Sequence, residues 1–86
     1  MKLAFTPIGG ADYLYWQNTD RAQLKRINKL IDAVVRDPFN GIGKPERLRN
    51  ALSGAWSRRI SEEHRLVYLV DDNEVTILEA RYHYEK

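Results

Sequence analysis

The sequence has no cysteine. Disulfides and thiolate metal centres are excluded outright, which suits a reducing compartment. Long apolar runs are missing too. Met1-Lys2-Leu3-Ala4-Phe5 meets Pro7 and the Gly9-Gly10 pair at once, so it is neither a signal peptide nor a membrane span. Cytoplasmic residence without membrane attachment is the expectation. Histidine is scarce, with only His64 and His83. Without clustered Asp or Cys these two offer no metal-ligand set of recognisable spacing, and no cofactor is expected. Internal repeats, linkers and low-complexity segments are absent as well. Nothing in the composition resembles a disordered or fibrous protein.

What is present fits one small domain spanning residues 1–86. A chain of this length buries a smaller share of its surface than a larger one, so one core shared by a helix or two and a sheet is its capacity. The net charge of +2 conceals an uneven distribution. Met1 to Gly43 carries six Lys/Arg against four Asp, Lys44 to Arg65 six against three Glu, and Leu66 to Lys86 two against five acids. A basic cluster on a weakly charged chain suits an anionic partner such as nucleic acid, and equally a solvated basic face.

Leu3 to Phe5 reads as a short strand cut off by Pro7 and the two glycines. A short helix follows from about Ala11 to Gln17, its Tyr13, Tyr15 and Trp16 reading as core or interface. Asn18, Thr19 and Asp20 are candidate caps for a second helix. In it Leu24, Ile27, Leu30/Ile31 and Val34/Val35 recur at three- and four-residue spacing, opposite a face of Arg21, Lys25, Arg26, Lys29, Asp32 and Arg36. That is an amphipathic helix with one buried stripe. Asp37-Pro38 ends it, because a residue before proline avoids the helical region. Residues 39–45 form a loop. Its Gly41-Ile42-Gly43-Lys44 lacks the length and the Lys-Ser/Thr ending of a phosphate loop.

Three strand-like runs come next: Ala55 to Ile60, Arg65 to Val70, and Glu74 to about Tyr82. The turns between them are Ser61-Glu62-Glu63-His64 and Asp71-Asp72-Asn73, and short turns favour antiparallel pairing. Leu66 to Val70 is apolar on both faces, as a central strand should be. Trp56 reads as core, and His64 as structural or solvent-exposed. The fold class is α+β, with two N-terminal helices packed on one antiparallel sheet.

A three-residue turn between the last two strands would set Val70 opposite Glu74 and Arg65 opposite Glu79. Arg65, Glu79, Arg81 and His83 would then share one face, and a register slip of one residue would separate Arg65 from the set. Glu46, between Lys44 and Arg47 in the loop leading into the sheet, supplies a carboxylate. Taken alone it reads as a rim ion pair worth about 0–1 kcal/mol. Together, Glu46, Arg65 and His83 match metal-free RNA cleavage. One group takes the 2′-hydroxyl proton, another protonates the departing 5′-oxygen, and a fixed cation stabilises the phosphorane. Tyr84 adds a surface for stacking an unstacked base.

Nearly end to end, the chain resembles YoeB-type toxins of bacterial toxin–antitoxin modules, in the RelE/ParE superfamily. The resemblance is carried by Asp12-Tyr13-Leu14-Tyr15-Trp16-Gln17, Gly43-Lys44-Pro45-Glu46, Leu52-Ser53-Gly54 and Trp56-Ser57-Arg58-Arg59-Ile60. Glu62-Glu63-His64-Arg65-Leu66-Val67-Tyr68 and the closing Arg81-Tyr82-His83-Tyr84 extend it. It implies a RelE-like, microbial-ribonuclease-type fold and an endoribonuclease that cuts mRNA in the ribosomal A site, inhibiting translation. By the same resemblance Glu46 is the general base, His83 the general acid, Arg65 the phosphate-stabilising cation, and Tyr84 a substrate-positioning residue. Lys44, Arg49 and Arg59 match basic positions that hold messenger or ribosomal RNA, and Arg81 is grouped with them as RNA-binding. The implied partners are a YefM-like antitoxin and a second copy of the chain. The superfamily's other branch supplies the alternative, a non-enzymatic ParE-like toxin acting by contact on DNA gyrase. The sequence departs from the family pattern at Pro7-Gly9-Gly10, at Asn50 where histidine is frequent, and at Glu85-Lys86 beyond the tyrosine.

Overall fold

A computed structural model of the chain describes residues 1–49 and 54–82. Strand β1 (Lys2–Phe5) leads into helix α1 (Pro7–Thr19), and helix α2 (Arg21–Arg36) follows after one residue. That residue, Asp20, caps both helices. Its extended backbone ends α1, donating its N–H to Trp16 O at 2.9 Å. Its carboxylate accepts the otherwise orphaned N–H groups of Ala22 (3.1 Å) and Gln23 (3.2 Å) at the start of α2. In α2 the expected stripe is the buried one: Ile27, Leu30, Ile31 and Val34 face inward. The helix stops at Asp37, ahead of Pro38.

Helix α1 is longer than its sequence predicts, and the reason is local. Pro7 starts the helix instead of breaking it, because a first-turn residue has no N–H partner to lose. Thr6 is the cap, its Oγ accepting from Gly9 N at 3.0 Å. Gly9 is set by packing: a Cβ there would collide with the carbonyl oxygen of Ile77.

The sheet has the order β1-β5-β4-β3-β2, adding β2 (Glu46–Arg47), β3 (Ala55–Arg59), β4 (Arg65–Asp71) and β5 (Glu74–Glu79). The α+β class is as expected, with both helices against one face. Trp16, Ile27, Leu30 and Val34 meet Leu66, Tyr68, Val75 and Ile77 in the core. β4 is central, and Leu66, Val67 and Tyr68 are fully buried. Three details differ from expectation. The edge strand β1 runs parallel to β5 in an otherwise antiparallel sheet. Glu46 lies in the two-residue strand β2 and not in a loop, paired with Ser57 of β3. Pairing of the last strand ends at Glu79, short of Tyr82.

The register of the last hairpin also differs, twice over. Asp71 pairs with Glu74, so the turn is the two residues Asp72-Asn73, with Asp72 at φ 49°. Such tight hairpins need a positive φ at a central position, and aspartate tolerates it. Val70 therefore faces Val75 and not Glu74. Further along, the pairing jumps from Tyr68–Ile77 to Val67–Glu79, leaving Leu78 as an extra residue. Each change flips side-chain parity once. The two flips cancel: Glu79 keeps to the Arg65 face, but opposite Val67.

Where β1 leaves off, α1 covers the edge of β5. Thr6 Oγ donates to Ile77 O and Leu78 O, Asp12 Oδ2 accepts from Ala80 N, and Trp16 Nε1 donates to Ala80 O. Edge groups that would otherwise be stranded are thus satisfied by helix side chains. No helix among the described residues is long and apolar enough to cross a membrane.

Candidate active site

Cross-strand pairing puts Glu46 opposite Ser57, Ser57 opposite Val67, and Arg59 opposite Arg65. Directly opposed residues share a face, as do alternate residues along a strand. Glu46, Ser57, Arg59, Arg65 and Glu79 therefore belong to one face of the sheet.

Arg65 is the hub. Its Nε donates to Ser57 Oγ at 2.9 Å, and its Nη2 donates to Glu46 Oε1 at 3.2 Å. The buried serine hydroxyl fixes the base of the guanidinium, while the carboxylate takes its outer edge. The side chain of Arg65 is 16% exposed and that of Glu46 is 70% exposed. A planar guanidinium held at two points presents its donors in one orientation, which suits a tetrahedral or trigonal anion. Glu46 Oε2 takes no hydrogen bond from the described residues. The pair thus offers a fixed cation and an open carboxylate side by side.

Lys44 and Arg59 flank this pair, the one two residues before Glu46 in the chain and the other opposite Arg65 in the sheet. Arg59 N donates to Gly43 O at 2.7 Å, bringing the backbone next to Lys44 alongside the end of β3. Lys44 (φ 52°), Arg49 and Arg59 are all exposed. Arg81 is placed differently from the expectation that gathered it with Arg65. Its guanidinium carbon lies 3.7 Å from the ring centroid of Tyr15 in α1 and 5.1 Å from that of Tyr82, a cation–π arrangement against the helix. His83 and Tyr84 lie outside the described residues, as do Asn50, Leu52, Ser53, Glu85 and Lys86. Glu79 is pushed above the ordinary carboxylate value by burial, and secondarily by the charge of Asp12. Among the described residues no three His, Cys, Asp or Glu side chains gather as a metal-binding group.

Two supporting residues escape a reading of the sequence. Ser57 is fully buried beneath Arg65, and only its strand parity could have marked it. Arg58, with 0% exposure, points to the opposite face. It donates to Asp37 O (2.6 Å), Asn40 O (3.0 Å), Ile42 O (3.1 Å) and Tyr68 Oη (3.1 Å). Tyr68 Oη in turn donates to Pro38 O at 2.7 Å. Burial raises the Tyr68 hydroxyl above its usual range, and the hydrogen bond from Arg58 opposes that rise. Arg58 thereby ties down residues 37–42, the approach to β2. Gly43 completes the approach at φ 85°, where a Cβ would press to 2.7 Å from Leu30 Cδ2.

This arrangement is set in a chain with close relatives. Residues 5–84 match the family model described as YoeB-like toxin of bacterial type II toxin-antitoxin system. Toxin YoeB of Synechocystis sp. is 56% identical over 86 residues, the whole of both chains. A YoeB dimer from Staphylococcus aureus superposes with a TM-score of 0.89 at 46% identity, covering 98% of each chain. The heterotetrameric YoeB-YefM toxin-antitoxin complex from the same organism gives 0.87 at 46% identity with the same coverage. A match running from Phe5 to Tyr84, identity above half, and the same fold leave a single assignment: the chain belongs to the family of YoeB-like toxins of bacterial type II toxin–antitoxin systems.

Proposed function

We propose that the protein is a ribosome-dependent mRNA endoribonuclease, the toxin of its module, inhibiting translation by cutting messenger in the ribosomal A site without a metal. The observation that carries this is the Arg65 guanidinium bridging Ser57 Oγ and the exposed Glu46 Oε1 on the sheet face away from the helices. A base beside a pre-oriented cation is what 2′-hydroxyl attack on a phosphodiester needs. Glu46 takes the 2′-hydroxyl proton, and the 2′-oxygen adds to phosphorus as the bond to the 5′-oxygen breaks. Arg65 stabilises charge on the equatorial oxygens, and His83 protonates the departing 5′-oxygen. Tyr84 positions the substrate. The products are a 2′,3′-cyclic phosphate and a 5′-hydroxyl. A cation fixed in advance commonly contributes more to the rate of such a reaction than any other single effect.

Lys44, Arg49 and Arg59, all exposed, hold messenger or ribosomal RNA, and Arg81 contributes where it stacks on Tyr15 and Tyr82. The S. aureus relative assembles as a dimer and with YefM, which supports a homodimer and a YefM-like antitoxin as partners here. The cytoplasm, where ribosomes and messenger are, is the site of action.

The test is cleavage of messenger in a purified translating system, mapped by primer extension. Glu46→Ala and His83→Gln are each expected to lose about 10²–10⁴-fold in rate while staying folded. Full activity in either variant removes that residue from the mechanism. A DNA-damage response on expression, with messenger left intact, would replace this reading with the gyrase-directed one.

A further inference from the structure

Strand pairing stops at Glu79, yet residues 80–82 are held tightly. Ala80 N donates to Asp12 Oδ2 at 2.9 Å, and Ala80 O accepts from Trp16 Nε1 at 2.8 Å. Tyr82 N donates to His64 Nδ1 at 2.7 Å, and Tyr82 O accepts from Arg65 N at 3.1 Å. Between those last two bonds Tyr82 adopts φ 60°. An aromatic residue in the left-handed region is strained and persists only where its surroundings over-determine it. Here the surroundings are the dipeptide His64-Arg65, which grips the amide and the carbonyl of the strained residue.

His64 is built for this task. It is buried (8% exposed), with its ring edge-on to Trp16 at 4.8 Å and tilted against Tyr82 at 5.0 Å. Because Nδ1 accepts an amide proton, the neutral ring carries its own proton on Nε2, 4.0 Å from Glu63 Oε1. We propose that His64 is a positioning residue for the nuclease: its Nδ1 holds the Tyr82 amide in the left-handed turn and so fixes the direction in which the chain leaves toward the next residue, His83. His64 itself does not touch RNA. The inference rests on the reading of His83 as general acid. It adds that one dipeptide serves both halves of the reaction, since the Arg65 side chain holds Glu46 while the His64-Arg65 pair fixes the approach to His83.

The experiment compares His64→Phe, which keeps an aromatic ring without the acceptor, with His64→Asn, whose Oδ1 stands near the position of Nδ1. His83→Gln runs in parallel. For His64→Phe we expect kcat on messenger-programmed ribosomes to fall about 10²-fold, the scale of a roughly 1 Å misplacement, with KM unchanged. His64→Asn should recover most of the rate. Hydrogen exchange of the Tyr82 amide should be slow in the parent and in His64→Asn, and fast in His64→Phe. A parent Tyr82 amide that exchanges at the rate of an unstructured peptide overturns the proposal without any variant. So does an Asn variant as slow in turnover as the Phe variant. Full activity in His83→Gln sinks the general-acid reading and the positioning role with it. Loss in His83→Gln beside full activity in His64→Phe sinks the positioning role alone.

Discussion

Replacing Arg58 by methionine tests whether a buried cation organises the approach to the candidate site. The substitution keeps an unbranched chain of similar reach and removes every donor. Three backbone carbonyls, those of Asp37, Asn40 and Ile42, lose their guanidinium partner. Tyr68 Oη loses a donor but keeps its own bond to Pro38 O, so it adds little. A buried polar group left unsatisfied costs about 1–3 kcal/mol. The loop carbonyls are only partly buried and can turn toward water, so the three together come to about 3–5 kcal/mol rather than the full sum. That is a large share of the roughly 5–15 kcal/mol that a domain commands. In equilibrium urea unfolding at matched protein concentration, the midpoint should drop by about 1.5–5 M, given a slope of about 1–2 kcal/mol per molar. Arg58→Lys should fall between the two, because an ammonium is a point donor and cannot span carbonyls arranged around a planar fork. A loss under about 1 kcal/mol for the methionine variant would refute the reasoning, since that is the size of a single ordinary hydrogen bond.

Neighbouring glycines in α1 should respond with opposite signs. Gly10→Ala meets nothing closer than Phe5 Cβ at 3.9 Å and should stabilise by about 0.5–1 kcal/mol, the helix-propensity gain. Gly9→Ala collides with Ile77 O and should lose about 1–3 kcal/mol despite the same gain; thermal melts of the two variants decide it. Asp20→Ala removes the acceptor of two N–H groups and should cost about 1 kcal/mol in the same assay. Glu79 holds its proton more tightly folded than unfolded, so its contribution to stability is present at low pH and is lost as pH rises from about 4.5 through the raised folded value. Glu79→Gln should therefore be more stable than the parent at about pH 7, with the gap closing toward about pH 4. Equal gaps at the two pH values, measured by urea unfolding, would contradict the assignment.

The features legible in the sequence are those fixed by local chemistry. The stripe of α2, its cap, which is Asp20 among the candidates Asn18, Thr19 and Asp20, and its stop before Pro38 each depend on residues within a few positions. Pro7 and Gly9 mislead because their meaning depends on distant partners. A proline is a breaker or a first-turn residue according to where the cap lies, and Gly9 answers to Ile77, far along the chain. The grouping of Arg65 with Glu79 on one face survives by cancellation: a shorter turn and a bulge each shift parity once. Neither Leu78 as an extra residue nor the parallel pairing of β1 has a local signature. Arg58 is hidden for another reason. A charged residue among strand alternations reads as outward-facing, and only the ring of carbonyls at the end of α2 makes its inward placement favourable. At the candidate site the grouping of Arg65 with Glu46 is legible, but the strand that carries Glu46, and the serine beneath, are not.

The parallel pairing of β1 with β5 bears on how the molecule comes to be folded. Lys2 to Phe5 find their neighbours at Glu74 to Ile77, and Thr6, Asp12 and Trp16 find theirs at Ile77 to Ala80. Residues 2–5 therefore wait for residues 74–77, some seventy positions later, before they can dock. Loop closure over so long a stretch must come before the contacts that reward it, and topologies of this kind fold slowly. A growing chain can form α2 and its caps early, while β1 and the inner side of α1 stay unpartnered until residues 74–80 have emerged. Assembly of the sheet edge, and of the backbone turn at Tyr82, thus comes after α2, β3 and β4 have been made, a delay set by topology and not by the strength of any one contact.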